Sequence, residues 1–256
     1  MTLQPVWIVQ TRASAHACDF NRRWKPAAMF LAMLEAASDH AAHLGFDFEA
    51  MQARRMSWVL SRFRIHFHAF PVMNEPVTLQ TWPCGLQQRL FFTRDFLLTG
   101  AGGQRLASAT SAWVLIDPVA RRMLPPQALQ ASLPANEGRR ALDWTLEKIN
   151  PPADLPERLQ VEAGYSAVDV LAHANSARYV EWLCDALGME AFERGNFAWL
   201  QINFVRETRP GERLSLRIGQ NGAGPTDWVA EGYNLSASTR GFEAAFGWQG
   251  DTPASL

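Results

Sequence analysis

The stretch VDVLAHANSARYVEWLCDALG, residues 168–188, begins with no helical pattern and ends with a strong one, and its one histidine, His173, stands at the changeover. An imidazole titrates near 6.5, so at neutral pH His173 can take a proton from a water and pass it on. A helix start leaves backbone N–H groups unpaired, here those of Ala174, Asn175 and Ser176, and its dipole favours negative charge. A base beside donors for a developing anion is one reading of this segment. The plain structural one is that His173 is a polar residue opening a helix, and that Asp169 satisfies loop amides before it. From spacing alone both stand.

Other residue types that carry chemistry form weaker patterns. His66 and His68 share one face of a strand-like run, but no third ligand follows at a metal-site spacing. GAGG at 100–103 lacks the strand-to-helix context of a phosphate loop, and no nucleic-acid motif is found. Cys18, Cys84 and Cys184 are odd in number and widely spaced, which argues against a disulfide framework and fits a reducing compartment. A net charge of −1 supplies no overall field for nucleic acid or an anionic membrane. The N-terminus has no signal-peptide pattern and the apolar runs fall short of a membrane span, so the cytoplasm is the expected location.

The elements that must position His173 come from periodicity. From Pro26 to Leu44, Phe30, Met33, Leu34, Ala37, Ala41 and Leu44 recur at helical spacing, with Pro26 suited to the first turn and Gly45 to the C-terminal cap. Phe63, Ile65 and Phe67 then alternate with Arg62, Arg64, His66 and His68, the period of a half-buried strand. PVTLQTW, RLFFTRDFLL and RLASATSAWVLI continue as strands, the last two joined by TGAGGQ, a hairpin-type turn.

The second half repeats this order. Val180, Leu183, Cys184 and Leu187 make a helical stripe closed by Gly188, and WLQINFV, RLSLRIG, WVAEGYNLSAS and FEAAFGW read as strands. IHFHAFPVMNEPVTL (65–79) aligns without gaps on INFVRETRPGERLSL (202–216), which sets Phe70 opposite Glu207. A looser alignment of DFNRR (19–23) with DVLAH (169–173) sets Arg23 opposite His173. The expected organisation is α+β, two tandem hotdog units, each a long helix wrapped by an antiparallel sheet: an N-terminal unit over 1–130, a proline-rich connector over 131–157 with a short helix near 139–148, and a C-terminal unit over 158–256.

The ordered segments WVLSRFRIHFHAFPVMNEPVTLQTWP, RDFLL, ATSAWVLIDPVARR, DVLAHANSARYVEW and FVRETRPGERL together resemble the acyl-acyl carrier protein thioesterases, tandem hotdog enzymes of fatty acid synthesis, over residues 15 to about 215. The resemblance implies hydrolysis of fatty acyl-ACP to free fatty acid and ACP, with acyl carrier protein and a fatty acyl thioester as partners and no cofactor. It places Asp169, His173 and Glu207 at catalytic positions and Asn175 at a substrate-binding asparagine. Such hydrolysis needs a positioned water, a base and oxyanion donors. His173 would be the base, Glu207 would fix its tautomer, and Asp169 would orient His173 or the entering loop.

Two positions depart from the family pattern. Leu171 stands where an asparagine is expected, and Thr208 stands beside Glu207 where some members carry a cysteine. Asn175, Asn203 or a backbone amide would have to cover the missing Leu171 amide. The departure keeps two alternatives open: a non-catalytic acyl-chain binder, and an acyl-CoA thioesterase on the same scaffold. Strict strand alternation would also put Glu207 on the face opposite Ile202 and Phe204, unless that face borders the site or a bulge near Thr208 re-aims it. Met29, Phe30, Met33 and Trp58 are candidates for acyl-chain walls as well as for plain core. Arg22, Arg23 and Lys25, or Arg54 and Arg55, could dock an acidic carrier. A homodimer is left open, since a tandem chain already mimics a hotdog pair.

Overall fold

Helix α1 (Pro26–His43) begins with its proline in the first turn and buries Met29, Phe30, Met33, Ala36, Ala37 and His40 along one stripe. The rings of Phe30 and Phe63 meet at 4.5 Å and those of Phe63 and Phe96 at 5.5 Å, so helix and sheet share an aromatic core. Gly45 ends the helix at φ +79, with Gly45 N–H bonded to Ala42 C=O and Phe46 N–H to Ala41 C=O, the paired closure that a left-handed glycine permits. A short helix, α2 (Phe48–Ala53), follows, capped by the Asp47 carboxylate on the Ala50 amide.

The computed structural model describes residues 3–134, 136–220 and 227–250, and the chain divides into two compact units, Met1–Leu146 and Glu147–Leu256. In the first, β1 (Trp7–Arg12), β2 (Ser57–Phe67), β3 (Pro76–Gln87), β4 (Phe91–Gly100) and β5 (Arg105–Asp117) form an antiparallel sheet in the order β1-β3-β4-β5-β2, with β6 (Arg122–Leu124) added on β5. Phe63, Ile65 and Phe67 are buried, as the alternation requires. The TGAGGQ segment turns with Gly103 at φ +77 and its amide on Gly100 C=O.

The second unit holds β7 (Glu157–Glu162), α3 (Ser176–Leu187), α4 (Met189–Arg194), β8 (Gly195–Phe204), β9 (Arg213–Gln220), β10 (Asp227–Asn234) and β11 (Thr239–Gly250). Its sheet runs β8-β11-β10-β9-β7, the counterpart of β2-β5-β4-β3-β1. The loops repeat as well. Ala13 donates to Glu75 C=O as Ala163 does to Glu212 C=O, and the Glu75 carboxylate accepts from Val72 N–H as that of Glu212 does from Arg209 N–H, each at 2.9 Å. The double hotdog inferred from the residue pattern is the fold of the chain.

The connector departs from expectation. No helix forms at 139–148. Its backbone groups are satisfied by side chains from each sheet instead: Trp82 Nε1 donates to Arg139 C=O, the buried Asp95 carboxylate accepts from Ala141 N–H at 2.8 Å, and Arg62 reaches Leu146 C=O. In the second unit Gln201 and Asn203 both donate to Glu147 C=O, and Arg240 to Pro151 C=O. A chain whose polar groups are already paired in extended form gains little by coiling. Among the described residues no helix is long and apolar enough to cross a membrane.

Candidate active site

The loop before α3 is built around one carboxylate. An isolated bridge pairs Val168 with Ala174, Asp169 N–H donates to His173 C=O, and Ala172 N–H returns to Asp169 C=O, each of the two bonds 3.0 Å long. Ala172 therefore sits at φ +58, a conformation that costs an alanine about 1 kcal/mol and persists because these bonds enforce it. Asp169 Oδ1 accepts the Leu171 amide at 2.9 Å and lies 3.7 Å from His173 Nδ1. That separation exceeds a hydrogen bond but suits an ion pair with a protonated ring. One oxygen thus both accepts a loop amide and faces the imidazole. The Asp169 and His173 side chains keep 22% and 28% of their surface open.

Asn175 is the N-cap of α3, its Oδ1 accepting from Ala177 N–H at 2.9 Å. The backbone donors foreseen at this helix start are mostly committed. Ala174 N–H bonds Thr208 C=O and Asn175 N–H bonds Ala167 C=O, so of the three amides only Ser176 N–H lacks a partner among the described residues. Helix-start amides are free only when the entering loop leaves them so, and this loop folds back on its own. Asn203 is also removed as a stand-in for the missing Leu171 amide: it is buried, with Nδ2 on Glu147 C=O and Oδ1 accepting from Gln201.

Glu207 falls beyond the end of β8, so strand parity no longer governs it. Val205 and Arg206 N–H both donate to Gly241 C=O, a local irregularity that re-aims the chain just before Glu207. The carboxylate accepts from Arg209 Nε and Nη2 at 3.3 and 3.2 Å. Thr208, fully buried, fixes the loop: its C=O takes the Ala174 amide at 2.8 Å and its N–H donates to Tyr179 Oη at 3.1 Å. The residue after Glu207 is therefore bonded to the residue after His173.

The first unit has the same loop with different groups on it. Asp19 N–H donates to Arg23 C=O, Arg22 N–H to Asp19 C=O with Arg22 at φ +61, and Trp24 N–H to Pro71 C=O. These bonds place Arg23 where the second unit has His173 and Pro71 where it has Thr208. An Asp19–Arg23 ion pair of 3.4 Å occupies the place of Asp169 and His173. An arginine cannot act as a base at neutral pH, so the position that His173 holds in the second loop carries no base in the first.

Two residues escaped the sequence reading. Tyr179 is buried against Phe204 and Phe242 and carries the Thr208 amide; its signal was a tyrosine inside an apolar helix face, where a hydroxyl needs a partner. Arg209 showed no sequence signal beyond its charge. Leu171 is partly exposed at 41% on the site loop. Met29, Phe30 and Met33 pack in the helix–sheet core, and Trp58 lies edge-on to Phe92. His66 accepts from Arg64 Nε and His68 meets Ser108 Oγ; among the described residues no group of three ligand side chains could hold a metal.

Comparison with known proteins places this geometry in a family. Residues 4–126 match the acyl-ACP thioesterase N-terminal domain and residues 152–244 the acyl-ACP thioesterase C-terminal domain. An oleoyl-acyl carrier protein thioesterase of Arabidopsis thaliana chloroplasts is 23% identical over 74% of the chain, which spans 59% of that relative's length. The 12:0-ACP thioesterase of Umbellularia californica has the same fold at a TM-score of 0.84 and 20% identity, covering 97% of this chain and 98% of that one. An acyl-ACP thioesterase of Bacteroides thetaiotaomicron follows at 0.78 and 23%, covering 96% and 98%. With both family domains present in order and the whole double-hotdog fold reproduced, the chain belongs to the acyl-ACP thioesterase family.

Proposed function

We propose that the chain hydrolyses fatty acyl thioesters carried on acyl carrier protein, releasing the free fatty acid and the carrier thiol, with one active site at the start of α3. The observation that carries this reading is the Asp169–His173 pair, 3.7 Å apart and open to solvent, on a loop bonded through Ala174 and Thr208 to the segment bearing Glu207. His173 takes a proton from the attacking water, and Asp169 stabilises the imidazolium that forms. Glu207 supports the same water or the ring, and the Ser176 amide and the Asn175 side-chain N–H groups are the remaining donors for the oxyanion. The reacting carbonyl carbon gains the water oxygen, the C–S bond breaks, and the proton held by His173 passes to the departing thiolate.

The test is free-thiol release from acyl-ACP by the wild-type chain, His173→Ala and Glu207→Ala. Turnover by wild type that collapses in both variants supports the reading; unchanged turnover in either removes that residue from it. Leu171 gives the binder reading its one specific observation, since a leucine supplies no amide at a family donor position. Tight acyl binding without hydrolysis at any chain length would establish that alternative. Acyl-CoA carrying the same chain, assayed in parallel, tells which carrier is preferred.

A further inference from the structure

The Glu207 carboxylate is held by a cation of its own loop, and that cation faces solvent. Arg209 gives Nε and Nη2 to Glu207 Oε1 while its side chain stays 54% exposed, against 30% for Glu207. Arg206, in the same loop, and Arg213, the first residue of β9, are also exposed, whereas the second acid of the loop, Glu212, is spent on the Arg209 amide and the Asn234 side chain. The segment thus carries three exposed arginines and a carboxylate paired with one of them. Arginine is the residue best matched to phosphate, because its planar fork gives paired charge-assisted bonds.

We propose that Arg209 is a carrier-sensing positioning residue: it pairs with Glu207, and the phosphate of the acidic carrier's thiol-bearing arm takes the guanidinium and releases Glu207 toward His173. Arg206 and Arg213 draw the acidic carrier to this loop. The inference rests on the proposed thioester hydrolysis and adds to it a reason for the enzyme to act on carrier-bound acyl groups before simple thioesters. The paired N–H donors that Arg209 gives to Glu207 cannot also be given to a phosphate, so binding of the carrier arm through them and freeing of the carboxylate are a single exchange. No bond is made or broken in that exchange, and the proton chemistry at His173 is unaltered.

The test compares two substrates with the same acyl chain, acyl-ACP and the neutral acyl thioester of N-acetylcysteamine, which has no phosphate, in wild type, Arg209→Gln and Arg209→Lys. For acyl-ACP, Arg209→Gln should lower kcat/KM by about ten- to a hundredfold, the worth of charge-assisted hydrogen bonds to one group. For the neutral thioester the same substitution should raise kcat/KM, because Glu207 no longer needs releasing. Arg209→Lys should fall between wild type and Arg209→Gln on both substrates. Changes of opposite sign support the proposal, since a merely structural arginine would depress both. Equal losses on the two substrates, or no loss on acyl-ACP, overturn it. Failure of the wild-type chain to hydrolyse either thioester would instead strike the functional reading itself.

Discussion

The amide of Ala174 and the carbonyl of Thr208 meet at 2.8 Å, and this bond joins the residue after His173 to the residue after Glu207. The first unit makes the same bond between Trp24 and Pro71, also at 2.8 Å, where the preceding residues are Arg23 and Phe70. Duplication thus preserved the backbone that brings two loops together, while Arg23 and Phe70 in the first copy stand where the second has His173 and Glu207. The bond belongs to the fold, and the side chains on either side of it differ between the two copies.

Tyr179 should be needed for that arrangement. Tyr179→Phe removes the acceptor of the buried Thr208 amide and leaves a donor unpaired, a loss of about 1–3 kcal/mol. Chemical denaturation should show this destabilisation, and thioester turnover should fall with it, although Tyr179 is not assigned to the chemistry.

Asp169 has two separable duties. Asp169→Asn keeps an oxygen for the Leu171 amide but loses the charge facing His173; Asp169→Ala loses both. The asparagine variant should melt like wild type and turn over about ten- to a hundredfold more slowly, the scale of a partly screened charge pair. The alanine variant should be both slower and less stable. Equal melting and equal rates in the two variants would show that the carboxylate acts only through its charge or not at all.

Stability should fall in mild acid. His40 is buried with Nδ1 accepting from Arg94 and Nε2 donating to Gln4 C=O, under the stacked ring of Trp7, and burial with the adjacent Arg94 and His43 holds its pKa down at about 4. The folded chain keeps this ring neutral and the unfolded chain does not, so the unfolded state binds the extra proton. Stability is full above pH 6.5, where the unfolded imidazole titrates, and is lost as the pH drops toward about 4, by roughly 3 kcal/mol at most. His66, also held at about 4, acts in the same direction. Urea unfolding midpoints at a series of pH values measure the slope, and substituting His40 with a residue that does not titrate should flatten it.

Leu171→Asn restores the amide that the family pattern expects. With Asn203 committed to the connector and two of the three helix-start amides already bonded, the site is short of donors. The substitution should raise kcat, by as much as about a hundredfold if the new amide reaches the oxyanion. An unchanged kcat would show that the donor is supplied elsewhere.

Much of this was legible in the residues. The helical stripe on Met33 and Ala37 and the alternation on Phe63 and Ile65 follow from short-range periodicity, the glycine caps from residue type at a helix end, and the correspondence of Phe70 with Glu207 from the internal repeat; each recurs in the fold. What escaped depends on long-range partners. The connector stays extended because Trp82, Asp95, Gln201 and Asn203, remote in sequence, satisfy its backbone. The strands β1 and β7 carry little apolar alternation in sequence because, at the sheet edges, WIVQTR and ERLQVE bury no residue and only partly cover alternate positions. The helix-start amides could not be judged free or bonded until the loop that folds over them was in place.

We propose that the second loop alone performs thioester hydrolysis, with His173 as its base. The direct measurement is single-turnover thiol release from acyl-ACP in wild type, His173→Ala, and Arg23→Ala as the matching change in the first loop. A base of this kind contributes about 10²- to 10⁴-fold. A loss of that size in His173→Ala with no comparable loss in Arg23→Ala is the result predicted. Full activity in His173→Ala, or an equal loss from Arg23→Ala, would contradict it.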